Sequence, residues 1–231
     1  MDALSFEPAV TVLWNSSVRD SILGFVSINY RLSPYPSHPR NPSSPDDTSR
    51  NAHYPDHLQD VEKALLYLES QYDISGRYLL VGHSAGATIA FELHNNSNPK
   101  LPAPAGILGV AGIYHFEAFL NNHSESPAYQ EFMENAFPVR ALWEKAAPST
   151  NRESGSTLWE HVKAIIIAHS EDDELIEEEQ TSFMLQRARS TLRNEKVHFL
   201  HTHGHHDEIW QSGHILADLI INSLHILGSR T

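Results

Sequence analysis

The sequence predicts an α/β fold, with a mostly parallel sheet and helices on both of its faces. Short apolar runs typical of strands alternate along the chain with longer amphipathic segments typical of helices. Two of the strand candidates are almost entirely apolar, as expected of strands covered on both faces. The length of 231 residues suits one domain, and a hydrophobic share of 40% is enough for a folded core. We therefore expect a single domain over residues 1–231.

Strand candidates are short, apolar and bounded by turn residues or helical patterns. In chain order they are Gly24–Arg31, Tyr78–Val81, Gly106–Val110, Ala164–Ala168 and Val197–Leu200. Between and after them, apolar residues recur every three or four positions, which predicts helices. These helices are expected to start at Pro55 and to cover Ala85–His94, Glu177–Leu192 and Glu208–Leu227.

Two regions depart from this alternation. Ser33–Pro55 is rich in proline, which removes backbone donors and fixes φ, so a long surface loop is predicted there. Residues 114–145 are rich in aromatic side chains and are expected to form short helices at the sheet edge. Two interpretations of these aromatics remain open: a lid over a site, or packing within a helical excursion.

Composition excludes several classes of protein and site. With 16 basic and 29 acidic residues, the net charge of −13 argues against a nucleic-acid partner. The absence of cysteine excludes disulfides, a thiol nucleophile and cysteine-ligated zinc. Apolar runs of about five residues are far too short to cross a bilayer, and no secretory signal is visible. We expect a cytoplasmic protein without a membrane partner.

The segment Gly82-His83-Ser84-Ala85-Gly86 matches G-x-S-x-G between a predicted strand and a predicted helix. A serine on such a sharp turn needs small neighbours, and the following helix points its amino end at the hydroxyl. Ser84 is therefore the candidate nucleophile, with the Ala85 N–H as an oxyanion donor. A tight turn holding a structural serine is the alternative.

A serine nucleophile needs a base and an orienting acid, which in this strand–turn–helix arrangement should follow it in the order acid, histidine. Asp172 and Asp173 follow one predicted strand, and the run 201–206 with four histidines follows the next. Spacing alone does not choose between the aspartates or among the histidines. The clustered histidines also resemble a zinc signature, which makes a metal hydrolase an alternative.

Several of these segments together resemble the fungal kynurenine formamidases, or arylformamidases, a branch of the α/β-hydrolases. The segments, which are spread over nearly the whole chain, are SINYRLSPYP, YPDHLQDVEKAL, YLLVGHSAGATIAFEL, GVAGIYHF, AYQEF, AHSEDDELI and GHHDEIW. The resemblance implies the α/β-hydrolase fold and makes Ser84 the nucleophile, Asp173 the acid and His206 the base. No cofactor or metal is implied.

The substrate implied by the resemblance is N-formyl-L-kynurenine, hydrolysed to L-kynurenine and formate in tryptophan degradation. Ser84 would attack the formyl carbon, and His206, held by Asp173, would protonate the leaving aryl amine. Tyr114 is a candidate for contact with the kynurenine ring. The expected partner is this small molecule, and a homodimer is a candidate assembly.

One departure from the family matters. The family carries H-G-G-x-W after its third strand, where backbone N–H groups complete the oxyanion hole, and this sequence lacks that motif. About three amino-terminal strands are missing against the family pattern, so the sheet is expected to be incomplete at that end. Loss of those donors would cost turnover about 10²–10³-fold. The expected consequence is a slot beside the strand at Tyr78–Val81, unless its neighbours pair again.

Three other functions remain as alternatives to the formamidase. The first is the metal hydrolase. The second is a carboxylesterase or lipase-like enzyme that uses the same three residues. The third is a truncated, catalytically impaired relative.

Overall fold

The structure, a computed structural model, describes residues 3–93, 98, 100–151 and 158–228. Four strands form one parallel sheet in the order β1-β2-β3-β4. Their bounds are β1 Leu79–His83, β2 Gly106–Val110, β3 Ala164–Ser170 and β4 Val197–Thr202. Four of the five predicted strands are therefore confirmed, and the α/β class with them.

Nine α-helices lie in the described part of the chain. They are α1 Glu7–Trp14, α2 Asp56–Tyr72, α3 Ala85–Glu92, α4 Phe116–Asn122, α5 Pro127–Ala136, α6 Trp143–Ala146, α7 Glu178–Thr191, α8 Glu208–Gln211 and α9 His214–Gly228. Short 3₁₀ turns cover Ala3–Phe6, Arg19–Ser21, Thr48–Arg50, Arg140–Leu142, Leu158–His161 and Asn194–Lys196. None of these helices has both the length and the apolar character needed to cross a bilayer.

Helices cover both faces of the sheet. Alternate strand residues point in opposite directions, so neighbouring residues of one strand pack against different helices. Leu108 and Ile166 pack with α1 and α9 on one face. Ile107 and Ile165 pack with α3 and α7 on the other. Residues of β3 are buried at every position, which explains the purely apolar run in its sequence.

The carboxyl-terminal helix is not continuous as predicted. Instead of one helix over Glu208–Leu227, the chain forms α8 and α9, separated at Gly213. Gly213 has φ +74°, and a Cβ there would lie 2.3 Å from the Pro8 carbonyl carbon of α1. The break allows α9 to pack closely against α1.

The predicted strand at Gly24–Arg31 is wrong. The segment is extended, yet in the described part of the chain no strand pairs with it, and none pairs with the outer edge of β1. Its side chains do alternate as in a strand, since Phe25 packs with the α1 and α9 cluster while Ile28 and Tyr30 pack with α2. The expected slot is therefore present.

A groove of about 970 Å³ occupies the space between the extended segment 22–30 and β1. Its walls are apolar on both sides of the sheet, with α2 and α3 on one side and α1 and α9 on the other. The groove reaches the carboxyl end of β1 at Gly82, His83 and Gly86. The open edge of the sheet thus ends beside the G-x-S-x-G turn.

The aromatic region 114–145 folds into α4, α5 and α6. Its side chains pack against one another in a separate cluster, with Phe116, Phe119 and Trp143 at its centre. Leu175, from the loop after β3, packs against this cluster. This arrangement favours packing over a free lid as the reason for the aromatic content.

Candidate active site

The candidate nucleophile lies on a strained turn between β1 and α3. Ser84 has φ +55° and ψ −126°, a conformation that residues with a side chain rarely adopt. The Ser84 N–H donates to the Val110 carbonyl at 2.9 Å, and the Ser84 carbonyl accepts from the Ala87 N–H at 2.9 Å. The turn is thus tied to β2 and to α3, which presents Ser84 at the carboxyl edge of the sheet.

The two flanking glycines are not equivalent. A Cβ on Gly82 would lie 2.3 Å from the Gly86 carbonyl oxygen, so only glycine fits at that position. Among the described residues, no atom lies within 4 Å of a Cβ built on Gly86, which lines the groove. The sequence predicts that both positions must hold a small residue. The structure shows this requirement at Gly82 and not at Gly86.

Ala85 is the first residue of α3 and is exposed. Its N–H is one of the four at a helix start that have no partner within the helix. The predicted oxyanion donor is therefore available for a ligand, with the positive end of the helix dipole behind it.

The candidate acid and base form a buried pair. His206 Nδ1 donates to Asp173 Oδ2 at 2.8 Å, and the Asp173 side chain is 0% exposed. Asp173 Oδ1 also accepts the N–H groups of Leu175 and Ile176, each at 2.9 Å. Burial raises the pKa of Asp173, but the bonds from His206 and the two amides outweigh burial and hold that pKa below its usual value.

The two neighbouring aspartates have different surroundings. Asp172 turns toward β4 and accepts the Gly204 N–H at 3.3 Å, whereas Asp173 faces His206. The loop between β3 and α7 therefore places Asp173, and not Asp172, against His206.

Glu174 holds the loop between β4 and α8, which carries His206. The sequence did not predict this role. Its Oε2 accepts the His206 N–H at 3.0 Å and lies 3.2 Å from His205 Nδ1. The hydrogen bond from the His206 backbone is the main reason that the pKa of Glu174 is lowered. The acidic run before Leu175 is the only signal for this role in the sequence.

The residue before Ser84, His83, contacts the candidate base. The His83 ring lies against the His206 ring, with a centroid distance of 4.5 Å. Among the described residues, Ser84 Oγ makes no hydrogen bond to His206 or to any other group. The structure thus brings Asp173 and His206 together and packs His83, the residue before Ser84, on the His206 ring, with no serine–histidine bond among the described residues. Such bonds are often long in enzymes without substrate.

Tyr114 does not lie where a substrate contact needs it. Its side chain is 0% exposed and packs edge-on against Phe91, beneath the sheet. Burial raises the pKa of its hydroxyl well above the ordinary value. A residue in this position supports the core, and the predicted contact with the kynurenine ring is not favoured.

The clustered histidines do not converge on one point. His205 pairs with Glu174 and His206 with Asp173, while His201 and His203 are exposed. In the part of the chain that the structure describes, no group of three or more histidine, aspartate or glutamate side chains is placed to hold a metal ion. The site to be explained is therefore the Ser84, Asp173 and His206 edge.

Solved structures similar to this chain show the fold. Carboxyl esterase 2 from the fungus Tuber melanosporum matches with a TM-score of 0.66 and 12% identity, over 98% of this chain and 73% of that one. An esterase/lipase from an uncultured bacterium matches with a TM-score of 0.59 and 12% identity, over 76% of this chain and 62% of that one. The predicted α/β-hydrolase fold is confirmed.

Sequence relatives are more specific. Kynurenine formamidase avaC of Aspergillus versicolor is 33% identical over 89% of this chain and 80% of its own length. The kynurenine formamidase-like hydrolase fscH of Fusarium equiseti is 34% identical over 96% of this chain and 76% of its own length. A search of family models finds no match. By its fold and by these relatives, the chain belongs to the kynurenine formamidase family of α/β-hydrolases.

Proposed function

We propose that this protein hydrolyses N-formyl-L-kynurenine to L-kynurenine and formate, as a step of tryptophan degradation. The observation that carries the mechanism is the buried Asp173–His206 pair, which lies at the same sheet edge as the strained Ser84 turn. Membership of the family supports the choice of substrate. A small-molecule substrate also suits the net charge of −13, which disfavours nucleic acid.

In the acylation step, Ser84 Oγ attacks the formyl carbon and His206 takes the hydroxyl proton at Nε2. Asp173 accepts the Nδ1–H of His206, which fixes the tautomer and stabilises the imidazolium. The Ala85 N–H stabilises the oxyanion. His206 then protonates the departing aryl amine, so that the C–N bond breaks and formyl-Ser84 remains.

In the second step, His206 removes a proton from water as the water attacks formyl-Ser84. The oxyanion forms again beside Ala85, and Ser84 leaves as its alkoxide, which His206 protonates. Formate is released, and the free enzyme returns. No group beyond this chain and water is needed to balance the reaction.

The test is an assay of the purified full-length chain on N-formylkynurenine, with short p-nitrophenyl esters measured in parallel. Faster turnover of the formamide and its loss in Ser84→Ala are the expected results. Preference for the esters with the same dependence on Ser84 would assign a carboxylesterase instead. Activity that a chelator abolishes and that Ser84→Ala retains would assign a metal hydrolase.

The groove beside the Ser84 turn favours a second candidate, an impaired member of the family. No atom of the described residues lies within 4 Å of a Cβ built on Gly86, and the groove lies on this side of the Ser84 turn. A site with one oxyanion donor in place of two would turn over about 10²–10³-fold more slowly. This candidate predicts slow formation of formyl-Ser84 with all three residues still required.

A further inference from the structure

His83 stands between the groove and the acid–base pair. Its ring packs on the His206 ring at a centroid distance of 4.5 Å and an interplanar angle of 45°. His83 lines the groove, whereas neither His206 nor Asp173 is among the described residues that line it. His206 itself is only 4% exposed. The His83 side chain is therefore the wall on this side of the pair.

The His83 ring is neutral in this position. Both ring nitrogens are buried, and neither makes a hydrogen bond of good geometry among the described residues, although the His206 backbone lies close enough to favour the protonated ring slightly. Burial, and next the neighbouring His206, lower the pKa of His83 to about 4. A neutral ring suits the proposed reaction, because a second positive charge would oppose the imidazolium that forms on His206.

The charges around His206 come from the other directions. Asp173 and Glu174 face it from the loop after β3, and His169 lies at the end of β3. Asp173 and Asp207, the residue after His206, also act electrostatically on His83 and favour its protonated form. From the β1 side, His83 is the titratable group against the ring, so its removal would leave His206 beside an open groove.

We propose that His83 is a positioning residue, whose neutral ring holds the His206 imidazole on Asp173 and keeps groove water from that pair. The inference rests on the proposed function for its effect on turnover. His83 is the variable residue before the serine in the G-x-S-x-G motif. In this proposal it acts on the base, His206, and not on the nucleophile, Ser84. Water exclusion strengthens the electrostatic interactions inside a site, which is why the wall matters.

The test compares three substitutions in the full-length chain: His83→Ala, which opens the wall, and His83→Phe and His83→Leu, which refill it. For His83→Ala we expect kcat to fall about tenfold with KM little changed, below the roughly hundredfold loss that a 1 Å misplacement can cause. For the refilled variants we expect kcat within about threefold of the parent. His83→Leu serves if His83→Phe does not fold.

A second readout does not depend on turnover. The His206 Nδ1–H donated to Asp173 gives a downfield proton NMR signal only if its exchange with water is slow. We expect the signal in the parent and in the refilled variants, and its broadening or loss in His83→Ala.

The two readouts separate the inference from the proposed function. An unchanged kcat and signal in His83→Ala would overturn the inference, as would refilled variants no better than His83→Ala. The absence of the signal from the folded parent would also overturn it. A parent that does not hydrolyse N-formylkynurenine, but shows the expected pattern of signals, would sink the proposed function and leave the role of His83 standing.

Discussion

Two strands of one sheet, β1 and β3, support the two halves of the site in different ways. β3 is paired on both sides and buried along its whole length, and the loop after it carries Asp173. Among the described residues, β1 pairs with β2 alone and borders the groove on its other side, and Ser84 lies just beyond its end. The candidate acid therefore follows a strand with a neighbour on each side, whereas the candidate nucleophile follows a strand that borders the groove.

The neighbouring histidines 205 and 206 test the assignment of the base, because His206 pairs with Asp173 whereas His205 pairs with Glu174. We expect His206→Ala to lower kcat about 10⁴-fold or more, because it removes the proposed general base. His205 is exposed and paired with Glu174 at the surface, so His205→Ala is expected to stay within about threefold of the parent. Steady-state assays on N-formylkynurenine measure both. Equal losses in the two variants would contradict the assignment.

The neighbouring aspartates give a matched pair with a somewhat smaller effect. Asp173→Asn is expected to lower kcat about 10³–10⁴-fold, because the amide no longer fixes the His206 tautomer. Asp172→Asn keeps its bond partner Gly204 within reach and should leave kcat within about threefold. A larger loss in the Asp172 variant would mean that the loop after β3 is arranged differently.

Two leucines compare the contribution to stability of a strand within the sheet with that of the strand beside the groove. Leu108 in β2 is 0% exposed, whereas Leu79 in β1 is half-buried and lines the groove. We expect Leu108→Ala to lower the free energy of unfolding by about 3–5 kcal/mol and Leu79→Ala by about 1–2 kcal/mol. Urea unfolding measures both values. Losses of equal size would show that the β1 edge is covered in solution.

Two buried carboxyl groups, Asp173 and Glu92, should respond to pH with opposite sign. The folded-state pKa of Asp173 is lowered, so its contribution to stability is complete above its unfolded pKa of about 4 and is lost as pH falls through the folded value. Burial raises the pKa of Glu92 well above its ordinary value. Its contribution is therefore complete below about pH 4 and is lost as pH rises through the folded value.

The smallest predicted effect concerns Glu92, whose contribution to stability falls as pH rises. Glu92→Gln removes the cost of burying an ionisable carboxyl. We therefore expect the change in the free energy of unfolding that it causes to be more favourable at pH 8 than at pH 4, by about 1 kcal/mol. Asp173→Asn should instead lose more stability at pH 7 than at pH 3. Urea titrations at the two ends of each pH range measure these differences. A Glu92→Gln effect that is the same at both pH values would refute the argument.

Local patterns predicted much of the fold but not its pairing. The bounds of β2 agree with the apolar run that predicts it, because burial on both faces leaves a clear signal. At Gly24–Arg31 the same signal correctly indicates an extended chain with alternating side chains. A strand also needs a neighbour to pair with, and no residue within the segment specifies one. Likewise, the break at Gly213 depends on the approach of α1, which is far away in the sequence.

The site was predictable only in part, for a similar reason. The Ser84 turn is a local feature with a local motif, and its positive φ follows from that motif. The choice of Asp173 over Asp172 depends on how the loop meets the end of β4, and spacing does not contain that information. The contact of His83 with His206 joins residues far apart in the chain, so nothing in the sequence near position 83 indicates it.

The most direct test of the central claim is the covalent intermediate itself. Rapid acid quenching of the full-length chain mixed with N-formylkynurenine, followed by peptide mass spectrometry, should find a formyl group on Ser84. The same adduct should accumulate more slowly in Asp173→Asn and be absent from Ser84→Ala. Release of kynurenine by Ser84→Ala at the parent rate would contradict the account.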